Sequence, residues 1–137
     1  MIKKSEYVFE NVLIVDDTEM DVHFTVNIIK RSSIVKNIII KQSVLEGLDY
    51  LQNCKYNRDP IPELIFLDMN MPHLDGFDFL EAFQQLDTRI KRYSKVVMLS
   101  ATTDPNDIEK AVSNPTISHF IRKPLSMEAL IRLTQLN

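Results

Sequence analysis

The sequence predicts one doubly wound α/β domain, and three observations carry that expectation. Five short apolar runs rich in β-branched residues alternate with amphipathic stretches. The runs are nearly continuous in apolar residues, as strands covered on both faces of a parallel sheet require. Helix start signals follow most of them, so successive strands are joined through helices. At 137 residues the chain can bury one real core but is short for two.

The elements can be justified in order. The first run is Val-Leu-Ile-Val at residues 12–15. Thr18 and Asp21 follow it at the spacing of a capping box. Over residues 19–31, Met20, Phe24 and Ile28, with Val22, Val26 and Ile29 one step round, form a broad apolar face suited to packing on a sheet. The second run, 38–40, leads to Ser43 and Glu46, a second capping-box pair. Residues 53–63, polar and carrying Pro60 and Pro62, read as a loop before the third run at 64–67. Residues 87–94 read as another loop, and its Arg89, Lys91 and Arg92 as a solvated basic face. The fourth run is 96–99, after which Asp104 stands before Pro105 at a first helical position. A weaker fifth run at 119–121 precedes Ser126, which opens a closing helix reaching Asn137. Residues 1–10 are expected to be an N-terminal tail and 11–137 the domain.

Composition narrows the function classes. Nineteen acidic against sixteen basic residues give a net charge of -3, too weak and of the wrong sign to hold nucleic acid phosphates or an anionic membrane. The single cysteine, Cys54, excludes an internal disulfide, and the N-terminal residues lack the apolar run of a signal peptide. A cytoplasmic protein is expected, with no direct nucleic-acid or membrane partner.

The chemistry lies in where the polar residues fall. Asp16 and Asp17 follow the first strand, Asp68 the third, Ser100 the fourth, and Lys123 comes close after the fifth. In an open α/β sheet, ligands bind outside the carboxyl ends of the strands, so these distant residues converge on one crevice. Three carboxylates there call for a cation, and an all-oxygen donor set suits a hard ion, Mg²⁺ or Mn²⁺, rather than zinc. Waters and a backbone carbonyl, for which Asn70 is well placed, would complete an octahedron. Lys123 adds a compact positive charge and Ser100 a hydroxyl donor, together a pocket for a transferred phosphoryl group with Asp68 as acceptor.

From residue 11 to the C-terminus the sequence resembles the receiver domains of two-component response regulators. The most specific part is Asp68-Met-Asn-Met-Pro-His-Leu-Asp-Gly76, similar to the phosphoacceptor signature of that family. Asp16 and Asp17 match the acidic pair, Ser100 the hydroxyl position, Phe120 the aromatic switch position, and Lys123-Pro124 the lysine-proline pair. Pro72, Gly76 and Pro124 match residues that shape the loops. The resemblance implies a flavodoxin-like five-stranded parallel sheet in the order 2-1-3-4-5 with helices on both faces. It further implies a stand-alone regulator that catalyses only its own phosphoryl transfer and loss, and so is not an enzyme in the ordinary sense. A histidine kinase or histidine phosphotransfer protein would donate to Asp68 beside Mg²⁺. Ser100 and Phe120 would then alter the face around the fourth helix, the fifth strand and the fifth helix, which binds a downstream target or a second copy.

Ser stands where Thr is frequent in the family and Phe where Tyr is frequent, so Phe120 cannot signal through a phenolic hydroxyl. Asn70 and Thr102 flank the route by which water would reach an acyl phosphate and are expected to set its lifetime. Three other functions compete. A hydrolase with an aspartyl-phosphate intermediate would need a second Asp two residues after the nucleophile, where this chain has Asn70. A receiver-like fold that has lost phosphorylation would lack some of the residues present here. A flavodoxin-like cofactor binder would need a glycine-rich phosphate loop, but the only glycines are Gly47 and Gly76. His23, His73 and His119 are scattered, Phe77, Phe79 and Phe83 read as packing, and Cys54 has no activating partner.

Overall fold

A computed structural model of the chain describes residues 7–56 and 59–135. Its five parallel strands are β1 (Phe9–Val15), β2 (Val35–Lys41), β3 (Leu64–Asp68), β4 (Lys95–Ser100) and β5 (Ile117–Arg122), in the spatial order β2-β1-β3-β4-β5. The six helices among the described residues are α1 (Glu19–Ser32), α2 (Val44–Cys54), α3 (Gly76–Phe83), α4 (Thr88–Tyr93), α5 (Pro105–Val112) and α6 (Met127–Leu133). The expected fold class and strand order are both present.

Strand alternation divides the apolar residues between two cores. Leu13, Val15, Ile65, Leu67, Val96 and Met98 point to the side covered by α2, α3, α4 and α5. Val12, Ile14, Leu64, Phe66, Val97 and Leu99 point to the side covered by α1 and α6. The central strand β3 is buried throughout, whereas β5 at the edge is only half-buried, which is why its apolar signal is weak. A register shift between Val96 and Val97 leaves Ser118 without a partner in β4. On α2, Gly47 lets the helix approach β1, since a Cβ there would lie 2.8 Å from a methyl of Val15.

Four details differ from the sequence expectation. β1 begins at Phe9, inside the stretch expected as a tail, and the N–H groups of Val8 and Phe9 both donate to the Ile34 carbonyl; residues 1–6 of that tail lie outside the described residues. Residues 87–94 are not a loop but contain α4, anchored by the wholly buried Ile90 and started by Asp87, whose carboxylate accepts the Arg89 N–H. On α1 the inward arc is Val22, Thr25 and Ile29, leaving Met20 and Phe24 exposed at 68% and 54%. Finally, Thr18 precedes α1 but its side chain makes no cap bond. Ser43, Asp104 and Ser126 do cap their helices as expected, and Asp75 with Asp78 forms an additional capping box at α3.

Candidate functional site

Asp16, Asp68, Ser100 and Lys123 are each delivered at or just after a strand end. The Asp16 N–H still donates to Lys41 of β2 (3.0 Å), and the Asp16 carboxylate turns the chain into α1 by accepting the Thr18 N–H at 2.9 Å. Asp68 is the last residue of β3, in register with Leu99, and Ser100 is the last of β4. The Lys123 N–H donates to the Ser100 carbonyl at 2.8 Å, which fixes the end of β5 beside that of β4. Asp16, Asp68 and Ser100 are all buried, Asp17 is half-buried, and Asn70 is exposed.

The Lys123 ammonium occupies the centre of the crevice. It donates to Asp68 Oδ1 at 2.9 Å, Asp16 Oδ2 at 3.1 Å and Asp21 Oδ2 at 2.8 Å, using all three of its donors on carboxylates. Burial alone would lower the ammonium pKa, but the hydrogen bonds to Asp21 and Asp68 and the charges of Asp68 and Asp16 outweigh it and hold it above the ordinary lysine value. Asp68 moves the other way from most paired carboxylates. Burial, assisted by repulsion from Asp16 and Asp17, outweighs the bond to Lys123 and pushes it up to about 6.

Carboxylate oxygens of Asp16, Asp17 and Asp68 lie within 4.8 Å of one another. The donor set is chemically suited to a hard divalent ion, and an ammonium already stands between two of its members as a protein-borne cation. The group could therefore hold a metal.

The remaining expected residues are placed as follows. The Ser100 hydroxyl accepts the Thr102 N–H at 3.0 Å and points its own hydrogen toward Met69 Sδ at 3.5 Å. The Thr102 hydroxyl donates to Asp107 at 3.1 Å and accepts the Asp104 N–H, which ties it to the start of α5. Phe120 is half-buried, packed against the core on the face of the sheet that α2 to α5 cover. After β3 the chain folds back, with His73 at a left-handed φ of 68° and the Leu74 N–H donating to Pro72; the Gly76 N–H donates to Met69. Gly76 must lack a side chain, because a Cβ would sit 2.7 Å from the backbone oxygen of Asp68 itself. Pro124 follows Lys123 through a cis peptide. Two of the three basic residues of α4 serve as caps: Lys91 donates to the Gln84 carbonyl and Arg89 to that of Lys55. The three histidines lie on α1, the β3–α3 loop and β5, apart from one another in the fold, and Cys54 is buried.

Asp21 is the site residue that sequence reasoning missed. Its spacing from Thr18 suggested a capping box, yet its carboxylate faces the crevice and binds Lys123. No signal in the sequence marked it; in the structure it lies one turn before the buried Thr25, on the inward edge of α1.

This fold and site define a doubly wound domain that gathers a buried aspartate, an acidic pair and a tethered lysine at its strand ends. The chain belongs to the response regulator receiver domain family, whose model matches residues 12–135. It is 29% identical over 126 residues to the response regulator Rcp1 of Synechocystis sp., covering 90% of this chain and 83% of that one. A probable methanogenesis regulatory protein, FilR2 of Methanothrix harundinacea, is 27% identical, with 90% and 78% covered. Among solved structures, a two-component response regulator from Cytophaga hutchinsonii superposes with a TM-score of 0.83 at 29% identity, covering 93% and 95% of the two chains. The Mn²⁺-bound form of Rcp1 does so with a TM-score of 0.71 at 27% identity, covering 92% and 89%. No helix among the described residues is long and apolar enough to cross a membrane.

Proposed function

We infer that the chain is a cytoplasmic two-component signalling protein in which Asp68 accepts a phosphoryl group, and that its output is a phosphorylation-dependent change of binding surface. The observation that carries this reading is the contact set of Asp68: a buried carboxylate at a strand end, held by Lys123 and pushed up to about 6 by burial beside two further aspartates. At neutral pH that carboxyl is mostly ionised and so a competent nucleophile. The sensor histidine kinase or phosphotransfer protein supplies a phosphohistidine. As the P–O bond to Asp68 forms, the P–N bond breaks and its electron pair leaves on the imidazole nitrogen.

Lys123 offers its ammonium to the phosphoryl oxygens, neutralising charge that grows in transit. A bound Mg²⁺ or Mn²⁺, held by Asp16, Asp17, Asp68 and the Asn70 carbonyl, supplies the further positive charge that lets three carboxylates and a phosphoryl group share the crevice. The Ser100 hydroxyl, now directed at Met69, turns to donate to a phosphoryl oxygen, and Phe120 shifts in the space released. That movement alters the face of α5, β5 and α6, which meets the downstream target or a second copy. Asn70 and Thr102 govern access of water to the acyl phosphate. The chain turns over no external substrate.

Incubation with acetyl phosphate and Mg²⁺, read by intact mass, is expected to add one phosphoryl group to the wild type and none to Asp68→Asn. Equal labelling of the two would end this reading.

A further inference from the structure

Lys123 has three carboxylate partners, and only two of them belong to the cluster that could take a metal. Asp16 and Asp68 do, together with Asp17; Asp21 does not. Asp21 also differs in setting: its side chain is 39% exposed, against 3% for Asp16 and 7% for Asp68, and it comes from the first turn of α1 rather than from a strand end. Its bond to the ammonium is the shortest of the three, at 2.8 Å.

These facts bear on what must happen when a divalent cation enters. A divalent ion held by Asp16, Asp17 and Asp68 draws on two of the three carboxylates that now accept from Lys123, so the hold of those two on the ammonium weakens. The Lys123 side chain is only 11% exposed, and a buried ammonium left without a partner is strongly unfavourable. Asp21 removes that cost, because it is the one partner that the cation does not claim.

We propose that Asp21 is a positioning residue that holds the Lys123 ammonium while Asp16 and Asp68 are handed over to the divalent cation, and so raises the affinity of the crevice for that cation. Without Asp21 the ammonium stays committed to Asp16 and Asp68 and competes with the ion for them. The inference rests on the cation site of the proposed function, and its test separates the two.

Mn²⁺ binding to the full chain is measured by calorimetry or by the electron paramagnetic resonance of free Mn²⁺, with no phosphoryl donor present. Asp21→Asn is expected to weaken binding about tenfold, the value of one charge-assisted hydrogen bond. Glu19→Gln removes the same charge from the same exposed turn without touching Lys123, and is expected to weaken binding by about twofold or less. Asp21→Glu, which keeps a carboxylate in reach, should restore most of the loss. In a Lys123→Gln background the effect of Asp21→Asn should shrink to that of Glu19→Gln. Equal losses for Asp21→Asn and Glu19→Gln, or an Asp21→Asn loss that is the same with and without Lys123, would overturn the tethering role. A wild type that binds no Mn²⁺ overturns the cation site itself, and the inference with it.

Discussion

Replacing Asp68 by Asn is expected to make the metal-free protein more stable at neutral pH, although it removes a partner of Lys123. The reason is the direction of the Asp68 shift, from 3.8 to about 6. A carboxyl that is raised in the folded state keeps its proton longer when folded than when unfolded. Its contribution to stability is complete below about pH 4 and is lost as the pH climbs through about 6. Above that, the ionised group works against the fold. Two pH units correspond to roughly 3 kcal/mol, an upper limit that relaxation reduces, so a gain of about 1–3 kcal/mol is expected for Asp68→Asn at pH 8. Asp68 is 6% exposed, so solvent screening takes little from this figure. The corresponding rise in Tm is about 3–10 °C for a chain of this size. Urea unfolding in EDTA measures it, at pH 8 and again at pH 4, where the advantage should vanish. Adding Mg²⁺ should then stabilise the wild type in proportion to the logarithm of ion concentration above Kd, and the variant much less. An Asp68→Asn protein no more stable than wild type at pH 8 in EDTA, or with a gain that persists unchanged at pH 4, would refute the reasoning.

Two further outcomes follow from other parts of the structure. Gly76→Ala places a methyl 2.7 Å from the Asp68 carbonyl and 3.1 Å from the Met69 Cα, both backbone atoms that cannot move aside cheaply; a loss of about 1–3 kcal/mol is expected by urea titration, with Mn²⁺ affinity falling as well because the displaced atom belongs to Asp68. Cys54 is buried, and burial, reinforced by the charge of Asp59, pushes its thiol up to about 11, so a disulfide reagent at pH 8 should label the native protein slowly and the urea-unfolded protein at once; rapid stoichiometric labelling of the native protein would contradict that environment.

Much of the fold is legible because burial on both faces writes itself as uninterrupted apolar runs, and β1, β3 and β4 are of that kind. The site residues at strand ends are legible for a related reason: a parallel sheet delivers the residue after each run to the same edge. Asp16, Asp68 and Ser100 needed only that rule. Where the reading went astray, a residue acted against its type. Thr25 is polar by composition but buried, which rotated the inward face of α1 away from Met20 and Phe24. Helix α4 has six residues and one buried anchor, Ile90, too little to show a period of 3.6. Asp21 fitted a local motif so well that its long-range role was hidden; local side-chain bonds and tertiary ion pairs draw on the same residue types, and sequence spacing cannot tell them apart.

The lysine seated among the carboxylates also makes the resting crevice a cation exchanger with a preloaded ion. A monovalent ion that entered would replace one unit of charge with another and would have to displace an ammonium already desolvated and held by three short bonds. A divalent ion would bring a second unit, so that with the ammonium moved aside onto Asp21 the crevice could hold both. Admission is therefore decided by valence before it is decided by size, and the sodium and potassium that crowd any cell should leave the acidic pocket undisturbed.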